Sequence, residues 1–200
     1  REVGIWVKPM KFMAATVLFA WTTVVLAQLA SHTVSHSNTF NWIAAVLVVT
    51  SLFEVVYITH QASLGSASHY NTSDTFHALM FGIMGIAAVA LTATQAWLAW
   101  EIWSEQRGNA WSVLMQGIVV GLVLTFVLST VSGFLLGGKQ PQSGSGLPIF
   151  GWHLWKDIRP SHFLGVHAHQ LIPLAAWLAE RYLGQLAQAG FAVTTALYVI

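Results

Sequence analysis

No cysteine occurs in this chain, which removes disulfides, thiolate metal sites, iron–sulfur clusters and cysteine nucleophiles together. Charge is almost as scarce. Asp, Glu, Lys and Arg make up 8% of 200 residues, where a soluble domain carries about 25%. With a net charge of +1, the chain offers no basic surface of the kind nucleic acid demands. Nucleic acid is therefore not expected as a partner.

What remains is apolar: 56% hydrophobic residues and a mean hydropathy of +0.64. Runs of about 20 apolar residues recur, each long enough to cross the hydrocarbon of a bilayer. The expectation is an all-α, polytopic transmembrane bundle forming a single domain over residues 1–200, with the lipid bilayer as its first partner. Hydropathy divides it into six spans near 12–30, 42–62, 75–99, 111–136, 161–180 and 184–200. The chain starts at Arg1 and stops at Ile200 inside an apolar run, so a piece of a longer protein is expected.

Basic residues set the sidedness. Arg1, Lys8, Lys11, Lys139, Lys156 and Arg159 fall on one face, and Arg107 and Arg181 on the other. The positive-inside rule makes the first face cytoplasmic. Trp42, Trp97, Trp100, Trp103, Trp111 and Trp177 belt the opposite interface. Histidine is just as one-sided: His60, His69, His77, His153, His162, His167 and His169 map to the cytoplasmic edge, and only His32 and His36 to the far one. Imidazole ligates metals and haem and titrates near neutral pH, so this skew marks a place to look for chemistry.

Two further features stand inside the spans. In the fourth, Gly117, Gly121, Thr125, Ser129, Gly133 and Gly137 recur at every fourth residue, a small-residue ridge that lets helix backbones approach closely. In the second, Glu54 is the one acidic residue well inside a span, and such a group is costly unless it serves a function or finds a partner. Helical spacing gives it a face shared with Thr50, Tyr57 and Gln61. The fifth span opens Asp157-Ile-Arg-Pro-Ser-His-Phe-Leu-Gly-Val-His-Ala-His-Gln170. His162 and His169 share a face there but lie about 10 Å apart along the axis. Pro173 deprives the His169 carbonyl of its donor, so a kink or a free acceptor is expected at that point. Glu54 and His169 both sit roughly 12 Å below the cytoplasmic edge. They would meet if the second and fifth spans touched.

The leading expectation is a subunit that binds a metal or haem near the cytoplasmic face, with an accessory subunit as the first alternative and a transporter as the second. Haem b takes one or two axial imidazoles, and a transition metal takes mixed His and carboxylate ligands; either makes this a redox subunit of a membrane complex. A proton or small-solute transporter would use Glu54 as its relay. A non-catalytic accessory subunit would pack against other membrane subunits through the glycine ridge.

Four stretches resemble an uncharacterised family of bacterial multi-span integral membrane proteins. They are Trp6-Val-Lys-Pro-Met-Lys-Phe12, Phe53-Glu-Val-Val-Tyr-Ile-Thr59 with Ser68-His-Tyr-Asn71, Gly146-Leu-Pro-Ile-Phe-Gly-Trp152 and the Asp157–Gln170 run. The resemblance implies the bacterial cytoplasmic membrane, a seventh span before Arg1, and no known activity. Glu54, Tyr57, His69, Arg159, His162, His167 and Gln170 match the family pattern, whereas positions 60 and 169 look apolar in it and position 77 acidic. The ligand candidates are thereby narrowed to His69, His162, His167 and Glu54, with Tyr57, Gln61, Gln170 and Arg159 as supporting polar groups.

Overall fold

An apolar segment with no water beside it must satisfy its own backbone amides, and a helix does so within one segment. The computed structural model describes residues 4–137, 146–147, 152–153 and 157–200, and every regular element among them is helical. Helix α1 runs Val7–Ala30 and α2 is a single turn at His32–Ser35. The long helices α3 (Asn38–Ser63), α4 (Thr75–Glu105) and α5 (Val113–Gly137) follow. After them come α6 (Arg159–Val166), α7 (Ala168–Tyr182), a 3-10 turn at Gly184–Leu186 and α8 (Ala187–Val199). Among the described residues, α1, α3, α4 and α5 are long and apolar enough to cross a membrane. Arg1, Lys139, Trp155, Lys156 and most of the loop between residues 137 and 160 lie outside the described residues.

Polar caps set the helix starts. Ser31 accepts from the Val34 amide at 3.1 Å, Ser37 from Phe40 at 3.0 Å, and Asp74 from His77 at 2.9 Å; each satisfies an amide that the first turn leaves without a partner. The outward faces of the long helices are largely apolar, as segments facing lipid must be. Trp21, Leu52, Val56, Ile86 and Phe134 point outward and are more than half exposed.

The inward faces build an apolar core toward the far edge. Leu26, Ala27, Ile43, Leu98, Ile102, Ile118 and Leu122 meet there from α1, α3, α4 and α5. Toward the histidine-rich edge the core thins to Tyr57, Ile58 and Met84 with Phe12, Phe53 and Met80 against them, and polar side chains take over. Helix α4 packs between α3 and α5, α7 lies along α5, α8 lies against α7, and α1 touches α3, α4, α5 and α7.

The expected fifth span, 161–180, is not one helix. It is broken at His167 into α6, of 8 residues, and α7, of 15. The two pieces nevertheless run antiparallel to α5 in one register. Gly117 faces Pro173 and Ala176, Gly121 faces Ala168, His169 and Pro173, Gly165 faces Leu128 and Ser129, and Ser132 meets His162. The kink expected at Pro173 is likewise displaced: α7 runs through Pro173, and the interruption comes six residues earlier. The expected sixth span, 184–200, is a 3-10 turn followed by the 13-residue α8. That helix is about 20 Å long, short of the roughly 30 Å hydrocarbon. Bilayer-length helices therefore number four among the described residues, where six were expected.

The small-residue ridge packs inside the chain. A Cβ on Gly121 would lie 2.9 Å from Pro173 Cδ and 3.1 Å from the Ala168 carbonyl, and one on Gly117 would strike Ala176. Gly133 sits beside His162 at 3.6 Å, whereas Gly137, at the end of the ridge, has open space around it. Gly165 answers the ridge from α6, where a Cβ would come within 3.1 Å of the Leu128 backbone.

Candidate functional site

Glu54 is 3% exposed on the inward face of α3, with Ser51, Tyr57 and Gln61 buried on the same face. Of the expected stripe, Thr50 drops out, because its hydroxyl donates back to the Val46 carbonyl at 2.8 Å. Ser51 replaces it. The buried atoms Ser51 Oγ, Tyr57 Oη and Gln61 Oε1 have no hydrogen-bond partner. This row leads along α3 to the edge where the chain enters α1 and where residues 64–74 link α3 to α4.

At that edge Lys8, from the first turn of α1, is the organising group. Its ammonium donates to Ser68 Oγ at 2.8 Å and to His69 Nδ1 at 3.0 Å, and it acts electrostatically on Glu54. Burial, and then the Lys8 charge, push the His69 imidazole down to about 3. His69 is therefore neutral at physiological pH and serves as the acceptor for Lys8. The next residue, Tyr70, adopts a left-handed backbone (φ 56°). Its hydroxyl reaches the Leu136 carbonyl at 3.0 Å, which ties the loop to the end of α5.

The other histidines belong to different surroundings. His162 Nδ1 lies 2.8 Å from Ser132 Oγ across the α5–α6 contact. His167 Nδ1 is bonded to Gln170 Oε1, and Gln170 Nε2 reaches Thr22 of α1 at 3.2 Å. His169 is fully buried. Its amide donates to Thr125 Oγ1 at 2.7 Å, its Nδ1 lies 3.2 Å from the Val166 carbonyl, and Phe19 meets its ring edge-on. The break at His167 leaves the first amides of α7 without helical acceptors; Thr125 of the ridge caps one of them from the neighbouring helix. Arg159 grips Asp157 through Nε and Nη2 at 2.6–3.0 Å, just before α6. That guanidinium holds the Asp157 carboxyl well below the usual carboxylate range.

The anticipated convergence of Glu54 with His167 and His169 does not occur. Helix α3 packs on α4 and α1, α7 packs on α5 and α8, and α3 and α7 make at most a marginal contact. The four candidate ligands fall apart into Glu54 within electrostatic reach of Lys8, His69 on Lys8 and Ser68, His162 on Ser132, and His167 on Gln170. Among the described residues, no group of three or more His, Asp or Glu side chains could hold a metal ion.

Sequence reasoning missed Lys8, Ser68 and Ser51. The basic-residue count makes Lys8 a marker of sidedness and the Trp6–Phe12 stretch makes it part of a family resemblance, and neither gives it a place beside Glu54. Its position in the same stretch as Pro9, at the mouth of a span, was the available signal. Among the described residues, the fold and these clusters define an all-helical arrangement with four bilayer-length helices and a buried carboxyl on α3. No protein family, no curated protein and no solved structure matches this chain.

Proposed function

We propose that this is a multi-pass protein of the bacterial cytoplasmic membrane that conducts protons or a small polar solute along a track centred on Glu54. The observation that carries this reading is the row of partnerless buried atoms, Ser51 Oγ, Tyr57 Oη and Gln61 Oε1, beside that carboxyl. Each such atom costs about 1–3 kcal/mol when left dry, a steep penalty for three residues of one helix face. Water or a polar substrate in the track offsets it. In this reading α6 and α7 act as one bent fifth crossing and α8 returns as a short sixth. The positive-inside rule sets the histidine-rich edge in the cytoplasm, and the bacterial family resemblance belongs to the same proposal.

The test is proton flux into liposomes containing the purified protein and a trapped pH-sensitive dye. Glu54→Gln should abolish flux while leaving helix content unchanged. Flux equal to that of the unsubstituted protein in Glu54→Gln would remove the reading.

One observation favours a second reading, a redox subunit holding haem b or a transition metal. His169 Nε2 is buried without a partner while Nδ1 faces a backbone carbonyl, the orientation in which a ligating imidazole is commonly held. An optical spectrum with metal analysis decides it, since a preparation with neither a Soret band nor stoichiometric metal has no such cofactor.

A further inference from the structure

The turn between α1 and α3 carries two histidines that the Glu54 row does not use. His32 and His36 stand four residues apart on α2, so they share one face of that turn. Both are exposed. Their rings stack with centroids 4.1 Å apart and planes inclined by 21°. Two imidazoles at this helical spacing can grip one metal ion together.

A helix of one turn has no stability of its own, and the chain fixes this one from both sides. Ser31 accepts from the Val34 amide at 3.1 Å, and Ser37 Oγ donates to the Val34 carbonyl at 2.8 Å. The Val34 side chain is buried with Leu26, Ala27, Ile43 and Ile102. The histidines therefore stand on an anchored turn, which lowers the ordering cost of closing both on an ion.

Ring orientation points the same way. His36 Nδ1 lies 3.0 Å from the His32 carbonyl. A carbonyl only accepts, so Nδ1 carries the hydrogen, and the lone pair of the neutral ring falls on Nε2. Ser35 fits this assignment: its Oγ donates to the same carbonyl at 3.0 Å and accepts from His36 Nδ1 at 3.1 Å. A backbone carbonyl on the remote nitrogen is a common way of orienting a ligating imidazole. The His32 ring, exposed and stacked, can turn a nitrogen to the same point. Two metal–nitrogen bonds of about 2.0–2.1 Å span at most about 4.2 Å, and the 4.1 Å between the rings already lies inside that reach.

We propose that His32 and His36 form a surface site for one divalent first-row transition ion, copper(II) ahead of zinc(II) or nickel(II), with water completing the coordination. Imidazole suits these ions, whereas magnesium and calcium require oxygen ligands, and copper(II) stands highest in the affinity order. Two protein ligands leave several positions open, unlike the closed four-ligand shell of a structural metal, so the site suits capture of an exchangeable ion. It lies at the other end of α3 from Tyr57 and Gln61 and stands whether or not the Glu54 row conducts.

The test titrates copper(II) into the full chain in detergent micelles against a competing chelator, with electron paramagnetic resonance reading the ligands. One equivalent should bind tightly and show two imidazole nitrogens. Holding both rings on one turn makes the second bond intramolecular, a gain of about 10²–10⁴. His32→Ala and His36→Ala should therefore each weaken the tight equivalent by at least about a hundredfold, and the double variant should bind no worse than either single one. Helix content should stay unchanged, because both side chains are exposed. If His36→Ala disturbs the turn, His32→Ala decides alone, since the His32 ring takes part in the stack and not in the Ser35–His36 hydrogen bonds. His60→Ala, at the opposite end of α3, should leave the tight equivalent intact. A tight equivalent that survives in His32→Ala, a spectrum with a single imidazole, or losses that add in the double variant would each overturn the site.

Discussion

Replacing Gly121 with alanine adds one methyl group at a point where three sides are closed. The new Cβ would lie 2.9 Å from Pro173 Cδ, 3.1 Å from the Ala168 carbonyl oxygen and 3.2 Å from His169 Cα. Ordinary carbon contacts are about 3.5–4.0 Å, and none of these neighbours can rotate away, because two are backbone and the third is a proline ring. Helices α5 and α7 must therefore separate by roughly 0.5 Å. That movement stretches the Thr125–His169 hydrogen bond, now 2.7 Å. Overpacking of this kind costs about 1–3 kcal/mol, and weakening the hydrogen bond adds about 1. The helix propensity of alanine over glycine returns about 1, which leaves a net loss of roughly 1–3 kcal/mol. Gly82→Ala is the matched control, because nothing lies within 4 Å of its Cβ. It should keep the propensity gain alone and stabilise by up to about 1 kcal/mol. Unfolding by SDS titration in mixed micelles, followed by circular dichroism, should separate the two alanine variants by about 2–4 kcal/mol, with opposite signs relative to the parent. Equal stability of the two would mean that α5 and α7 do not meet at Gly121.

The remaining predictions use the same titration. Thr125→Val leaves the buried His169 amide without an acceptor and should cost about 1–3 kcal/mol, whereas Thr125→Ser should recover more than half of that loss; equal stability of the two would show that Thr125 does not cap α7. Acid sensitivity follows from two groups. His69 binds a proton in the unfolded chain near its ordinary value of 6.5 but in the fold only near 3, so its contribution is complete above 6.5 and declines as pH falls through that window. Asp74, held below its ordinary 3.8 chiefly by the His77 amide, contributes above that value and loses its contribution as pH falls further. The slopes share a sign: stability should drop from pH 6.5 downward. His69→Gln should flatten the upper part of the fall and Asp74→Asn the lower part; an unchanged stability between pH 7 and 4 would contradict the His69 assignment, and an Asp74→Asn curve that still follows the parent's below pH 4 would contradict the Asp74 one.

Composition and spacing determined much of this protein before any tertiary contact was considered. The scarcity of charge and the apolar runs required helices, and α1, α3, α4 and α5 lie where hydropathy put them, because a segment in contact with lipid must bond to itself whatever its neighbours. The period-four ridge marked the face of α5 that another helix would approach, and the isolation of Glu54 marked α3 as the helix carrying a buried carboxyl. Periodicity identifies a face but not what covers it. Only the tertiary structure decided that α6 and α7 cover the ridge, that the chain breaks at His167 so that Thr125 caps the second piece, and that α3 lies beside α1 rather than α7. That last choice replaced the expected histidine partners of Glu54 with Lys8, a residue sequence-remote from it. Which apolar helices become neighbours depends on close-packing of their inward faces, and hydropathy alone treats those faces as interchangeable.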